Sequence, residues 1–197
     1  TTHKAFDEAC AILAGDGLQS LAFTALLDPH MNTLDADTRL RMVSDLAMAA
    51  GPAGMVGGQA IDLGSVGVKL DRTALEYMHR HKTGALIEAS VQLGALASGH
   101  ARPEDLHALN IYARAIGLAF QVQDDILDVE GDTATLGKQS GADAARDKPT
   151  YPSLMGLAAA KTYALELRDQ AINALRPFDA AAEPLRELAR YIVERRH

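Results

Sequence analysis

The sequence has no tryptophan, a single cysteine and only 5% aromatic residues in 197. One cysteine excludes an internal disulfide, and a reducing, cytoplasmic setting is the expectation. That residue, Cys10, is read as a small hydrophobe packed on a helix. A basic surface is missing too: 26 Asp and Glu outweigh 19 Lys and Arg, for a net charge of -7, so nucleic acid is not an expected partner. No apolar run reaches the roughly 18 residues of a membrane span. No stretch alternates apolar with polar residues for long, which argues against half-buried strands. What is present is 48% hydrophobic sequence rich in alanine, enough for one sizeable helical core.

Periodicity places the helices. One is predicted over residues 4–27, where Ala9, Ala14 and Gly17 would let another helix approach closely. A second spans 35–50 and ends at Gly51-Pro52; Pro52 then suits the first turn of a short third helix running through Asp62. Asp71 is placed to cap a helix reaching about Ala97. Pro103 opens a long helix with Leu106, Leu109, Tyr112, Ile116 and Phe120 on one face. Pro152 opens another to about Leu175, and the last covers 184–195. The expected architecture is an all-α bundle with short connections, no repeat and no second domain. Gly51, Gly54, Gly57 and Gly58 fit neither the dinucleotide nor the P-loop spacing, and helix packing accounts for them better.

The segment FQVQDDILD, residues 120–128, carries the chemistry. On a helix, Asp124, Asp125 and Asp128 fall within an arc of about 100°, with Asp128 nearly above Asp124. Three acids there repel one another and oppose the helix dipole near its C-terminal end. A solvated acidic turn is the plain alternative. The apolar approach to this face favours a hard divalent cation instead, Mg²⁺ first. The following stretch, GDTATLGKQSGADAARDKPTYP, residues 131–152, supplies Lys138 and Lys148 on a loop. Acids opposite lysines suit a metal-bridged polyphosphate. Gln121, three residues before Asp124, shares the acid face. Gln59 and Asp62 are likewise three apart on the glycine-rich helix. His79 and His81, two apart, point different ways and are read as structural.

Together with HRHKTGALIEAS (residues 79–90), GMVGGQAIDL (54–63) and FDEACAILAGDGL (6–18), this segment resembles the trans-isoprenyl diphosphate synthases, the polyprenyl synthetase family, and within it the bacterial farnesyl diphosphate synthase type. The motifs stand in family order along the whole chain. The resemblance implies an isoprenoid synthase-type helix bundle around a central cavity. It implies Mg²⁺, with Mn²⁺ as the alternative ion, held by Asp124, Asp125 and Asp128, with Asp62 near the metal. It assigns Lys82, Thr83 and Gln121 to the allylic substrate, Thr83 beside the developing carbocation, and adds Gln59, Lys138 and Lys148 to the substrate contacts. The implied reaction condenses isopentenyl diphosphate with dimethylallyl or geranyl diphosphate to give farnesyl diphosphate, in a cytoplasmic homodimer.

One departure stands against these matches. The family's first aspartate-rich motif, the two arginines after it, and the lysine and arginine that hold isopentenyl diphosphate have no counterpart in the sequence. The chain therefore reads as the C-terminal two thirds of one domain, residues 1–197, without the N-terminal helices, and is expected to be inactive alone. A non-catalytic partner subunit is one rival reading; a class I terpene cyclase is another, although that class wants Ser or Thr at Asp128 and Glu at Asp132.

Overall fold

The computed structural model describes residues 2–28, 34–130 and 149–195, and those residues are helical with no strand among them. In chain order the α-helices are α1 (Thr2–Ala5), α2 (Glu8–Leu27), α3 (Ala36–Ala50), α4 (Met55–Gly64), α5 (Arg72–His79), α6 (Ala85–Ala97), α7 (Pro103–Glu130), α8 (Tyr151–Met155), α9 (Leu157–Ala174) and α10 (Glu183–Glu194). A π-helical turn, Arg80–Gly84, joins α5 directly to α6.

Short acids start three of these helices. Asp7, Asp35 and Asp71 each accept a backbone N–H three residues ahead, at 2.7, 2.8 and 2.8 Å, satisfying donors that a first turn otherwise leaves open. Asp7 also divides the single helix expected over residues 4–27, because an Ncap residue needs extended backbone. Pro52 lies in a turn, and α4 begins at Met55. The helix expected from Pro152 to Leu175 is two: Gly156 ends α8 at φ 84°, a left-handed angle that glycine alone adopts without cost. Thr150 starts α8 with a reciprocal capping box to Ser153.

The core forms around α7. Tyr112, Ile116, Ala119, Val122 and Ile126 are buried along it, and Ala160, Ala164, Leu167 and Ala171 face them from α9. Alanine at that spacing allows the two helices to pack closely. The Tyr112 hydroxyl donates to the Leu185 carbonyl at 2.8 Å, fixing α10 against the same helix. Burial pushes the Tyr112 phenol up to about 12.

Helix α2 is the exception. None of its residues is buried, and Ile12, Leu13, Leu18 and Leu21 are exposed. Cys10 is exposed as well, against the expectation that it packs, because among the described residues no helix covers this face. By length and mean composition α2 could cross a membrane, but Asp16, Gln19, Ser20 and Thr24 break its apolar run short of a span's length, as the sequence reading expects.

Candidate active site

Two glycines bring the site elements together. A Cβ on Gly58 would lie 2.1 Å from the Lys82 backbone nitrogen, so only a bare α-carbon lets α4 cross the π-helical turn at this distance. A Cβ on Gly117 would lie 3.3 Å from the Gly84 α-carbon, which seats the same turn against α7. The turn therefore packs between α4 and α7 with its Lys82 and Thr83, both partly buried. A π turn inside an α-helix rearranges the backbone hydrogen bonds and often marks a functional position.

Lys82 Nζ donates to Asp62 Oδ2 at 2.7 Å, and the Asp62 carboxylate is largely buried. Gln59, one turn earlier on α4, is partly buried. Asp62 and Lys82, twenty residues apart, thus form one charged pair.

The three acids of α7 have different surroundings. Asp124 keeps 39% of its side chain accessible and pairs with the Arg195 guanidinium, which also lies over the Phe120 ring, 4.4 Å from its centroid. Asp125 is buried and accepts the Tyr151 backbone N–H at 2.9 Å through Oδ2. Asp128 is the most enclosed, 2% exposed. Gln121 is partly buried, one turn before Asp124. Lys138 and Lys148 lie outside the described residues.

Sequence reasoning missed Arg195 and Tyr151. Both meet the acids across 71 and 26 residues of chain, so no local pattern announces them. Tyr151 is fully buried, its ring 5.5 Å from that of His79 and 6.0 Å from that of Tyr163, and burial beside Glu76 holds its phenol far above the usual range. His79 is buried while the His81 ring nitrogen reaches the Tyr77 carbonyl at 2.7 Å, so the two histidines have separate surroundings. A groove of about 530 Å³ lined in part by Arg41, Asp45, Arg80, Glu88 and Arg114 contains none of the assigned residues.

The donor chemistry fits a hard divalent ion. Asp124, Asp128 and Asp62 offer only carboxylate oxygens, and Asp124 and Asp62 already hold a cationic side chain. Among the described residues no group of three or more His, Cys, Asp or Glu closes a cage. Such a set suits Mg²⁺, which takes one or two carboxylates and completes its octahedron with water and phosphate oxygens.

This helical bundle, with acids on one long helix and a lysine-bearing π turn beside it, has the all-α isoprenoid synthase fold. Residues 1–185 match the Polyprenyl synthetase family, and the chain belongs to that family. It is 52% identical over 200 residues to the farnesyl diphosphate synthase of Escherichia coli K12, covering 99% of this chain and 66% of that protein. An FPP/GFPP synthase from Zymomonas mobilis, solved in its apo form, superposes with a TM-score of 0.84 at 42% identity, over 98% of this chain and 64% of that one. The geranyltransferase of Helicobacter pylori, solved with magnesium and isoprenyl diphosphate, gives 0.80 at 33% identity, over 98% and 62%. The chain thus spans about two thirds of the length of these relatives.

Proposed function

We propose that this protein is a Mg²⁺-dependent farnesyl diphosphate synthase of the cytoplasm, joining isopentenyl diphosphate head to tail to dimethylallyl and then geranyl diphosphate, and that these residues form the allylic half of its site. The observation that carries the reading is the convergence of α4, the π turn and α7, which gathers Asp62, Lys82, Thr83 and the acid-bearing helix into one region. A family relative at 52% identity named for this activity supports it.

Asp124 and Asp128 would hold Mg²⁺, or Mn²⁺ in its place, with Asp62 close by. When bound, the ion neutralises charge developing on the diphosphate leaving group. Lys82 exchanges its Asp62 contact for diphosphate oxygens, placing a fixed positive charge where the anion departs. Thr83 presents a hydroxyl and backbone dipoles to the carbocation without a strong nucleophile to trap it. Gln121 orients the allylic group from one turn before Asp124, and Gln59 lines the opposite side. Lys138 and Lys148 add positive charge and exclude water. The isopentenyl double bond then attacks the cation, and loss of a proton completes the product.

Because the 197 residues carry one set of acids, the isolated polypeptide is expected to bind allylic diphosphate without turning it over. We further propose a homodimer in which the exposed apolar face of α2 lies at the interface. The function is tested by incubating the protein, expressed over its whole reading frame, with geranyl diphosphate, isopentenyl diphosphate and Mg²⁺. Farnesyl diphosphate identified by mass, and abolished by chelation, is expected. A cyclic hydrocarbon product would overturn the proposal.

A further inference from the structure

Asp124 and Asp125 are adjacent in sequence, yet the structure gives them different tasks. Successive helical residues diverge by about 100°, and in α7 that rotation sends one carboxylate to the Arg195 side chain and the other into the protein. Asp125 is 8% exposed. Its Oδ2 accepts the backbone N–H of Tyr151 at 2.9 Å, in the first turn of α8. A second tie lies further along the same helix: Lys161 on α9 donates to Glu130, the last residue of α7, at 2.6 Å.

The location gives this bond its purpose. Helix ends fray, because the last carbonyls have no partner within the helix. Asp128 lies only two residues from the end of α7, so a metal ligand there needs the final turn held from outside. Tyr151 can hold them, since its ring is fully buried and wedged beside His79 and Tyr163. Its backbone is further fixed by the Thr150 capping box.

We propose that Asp125 is a positioning residue and not a metal ligand: through the Tyr151 amide it clamps the last turns of α7 to α8, and so aims Asp124 and Asp128 at the ion. This rests on the proposed metal role of those two acids. The needed property of Asp125 is then an acceptor oxygen, not a negative charge. Asparagine keeps such an oxygen and loses the charge, whereas alanine loses both.

The test uses the full chain and an unreactive geranyl thiolodiphosphate, titrated calorimetrically with Mg²⁺, alongside hydrogen exchange at the Tyr151 amide. Asp125→Asn is expected to bind within about 3-fold of the parent, since a neutral acceptor retains much of a charge-assisted hydrogen bond, and to keep the amide protected. Asp125→Ala should weaken Mg²⁺-dependent binding about 10-fold or more, as loss of groups that orient metal ligands does, and expose the amide. An Asn variant that loses affinity as badly as Ala while its Tyr151 amide stays protected would make Asp125 a ligand and overturn the inference. So would an Ala variant unchanged in both measurements. If Asp125→Ala does not fold, the Asn variant decides alone by the same criterion. If the parent itself fails to bind the analogue, the proposed function is what fails; amide protection lost in Ala and kept in Asn would still uphold the clamp, and equal protection in both would refute it.

Discussion

Asp124 and Lys82 each meet a charged partner within the protein, Arg195 and Asp62 respectively, so in the proposed site a ligand would compete with an existing ion pair at each. The partners released, Asp62 and Arg195, are themselves largely enclosed, and leaving either without a counter-charge would cost several kcal/mol. Asp124→Ala removes the most accessible acid of the three. In the protein expressed over its whole reading frame it is expected to lower turnover about 10²-fold with helicity unchanged, in line with loss of one preorganised electrostatic stabiliser. Steady-state kinetics beside circular dichroism checks this, and near-normal Mg²⁺-dependent turnover would remove Asp124 from the site. Of the residues in the proposed site, three acids within five positions can be read directly from the sequence, and the resemblance adds Lys82 and Thr83. Arg195 and Tyr151 were not legible, since their contacts are set by how α7, α8 and α10 pack and not by spacing along the chain.

Among the elements, the crossing of α4 over the π-helical turn is a tight constraint. Gly58→Ala would place a methyl group against the Lys82 backbone, and backbone cannot rotate away as a side chain can. A loss of about 1–3 kcal/mol of stability is expected, the usual cost of overpacking, together with separation of Asp62 from Lys82. Urea denaturation measures the first, and an unchanged midpoint would mean that α4 crosses elsewhere. Leu75, fully buried beneath α7, should cost about 2–5 kcal/mol on truncation to Ala, read from the same denaturation curves. Helix starts were legible where a short acid precedes an amphipathic run, as at Asp35 and Asp71, because capping is local chemistry. The division at Gly156 was not, since the apolar pattern runs on through it and only the φ of 84° breaks the ladder. Nor was the π turn itself, since no local pattern in HRHKTGALIEAS sets Arg80–Gly84 apart from the helices on either side.

For the molecule as a whole, the unburied α2 predicts association. Sedimentation of the protein expressed over its whole reading frame should give a dimer at micromolar concentration, and a monomer there would contradict the proposed interface. Alkaline pH should weaken the fold by a separate route. Burial raises the phenols of Tyr112, Tyr151 and Tyr163 above their ordinary value, so the native state holds protons that the unfolded chain releases first. Their stabilisation is complete below about pH 10 and is lost as pH climbs towards 12, through the folded value of Tyr112. Denaturant midpoints should therefore fall between pH 8 and pH 11, and a flat profile would argue against these buried phenols. The central claim, that the α7 acids and Lys82 take an allylic diphosphate through a divalent ion, is tested most directly by calorimetric titration of the 197-residue chain with geranyl thiolodiphosphate. Binding that requires Mg²⁺ and weakens at least 10-fold in both Asp124→Ala and Lys82→Ala is predicted, by loss of a charge-assisted contact in each. Binding of equal strength with the ion chelated, or indifferent to both substitutions, would contradict the account.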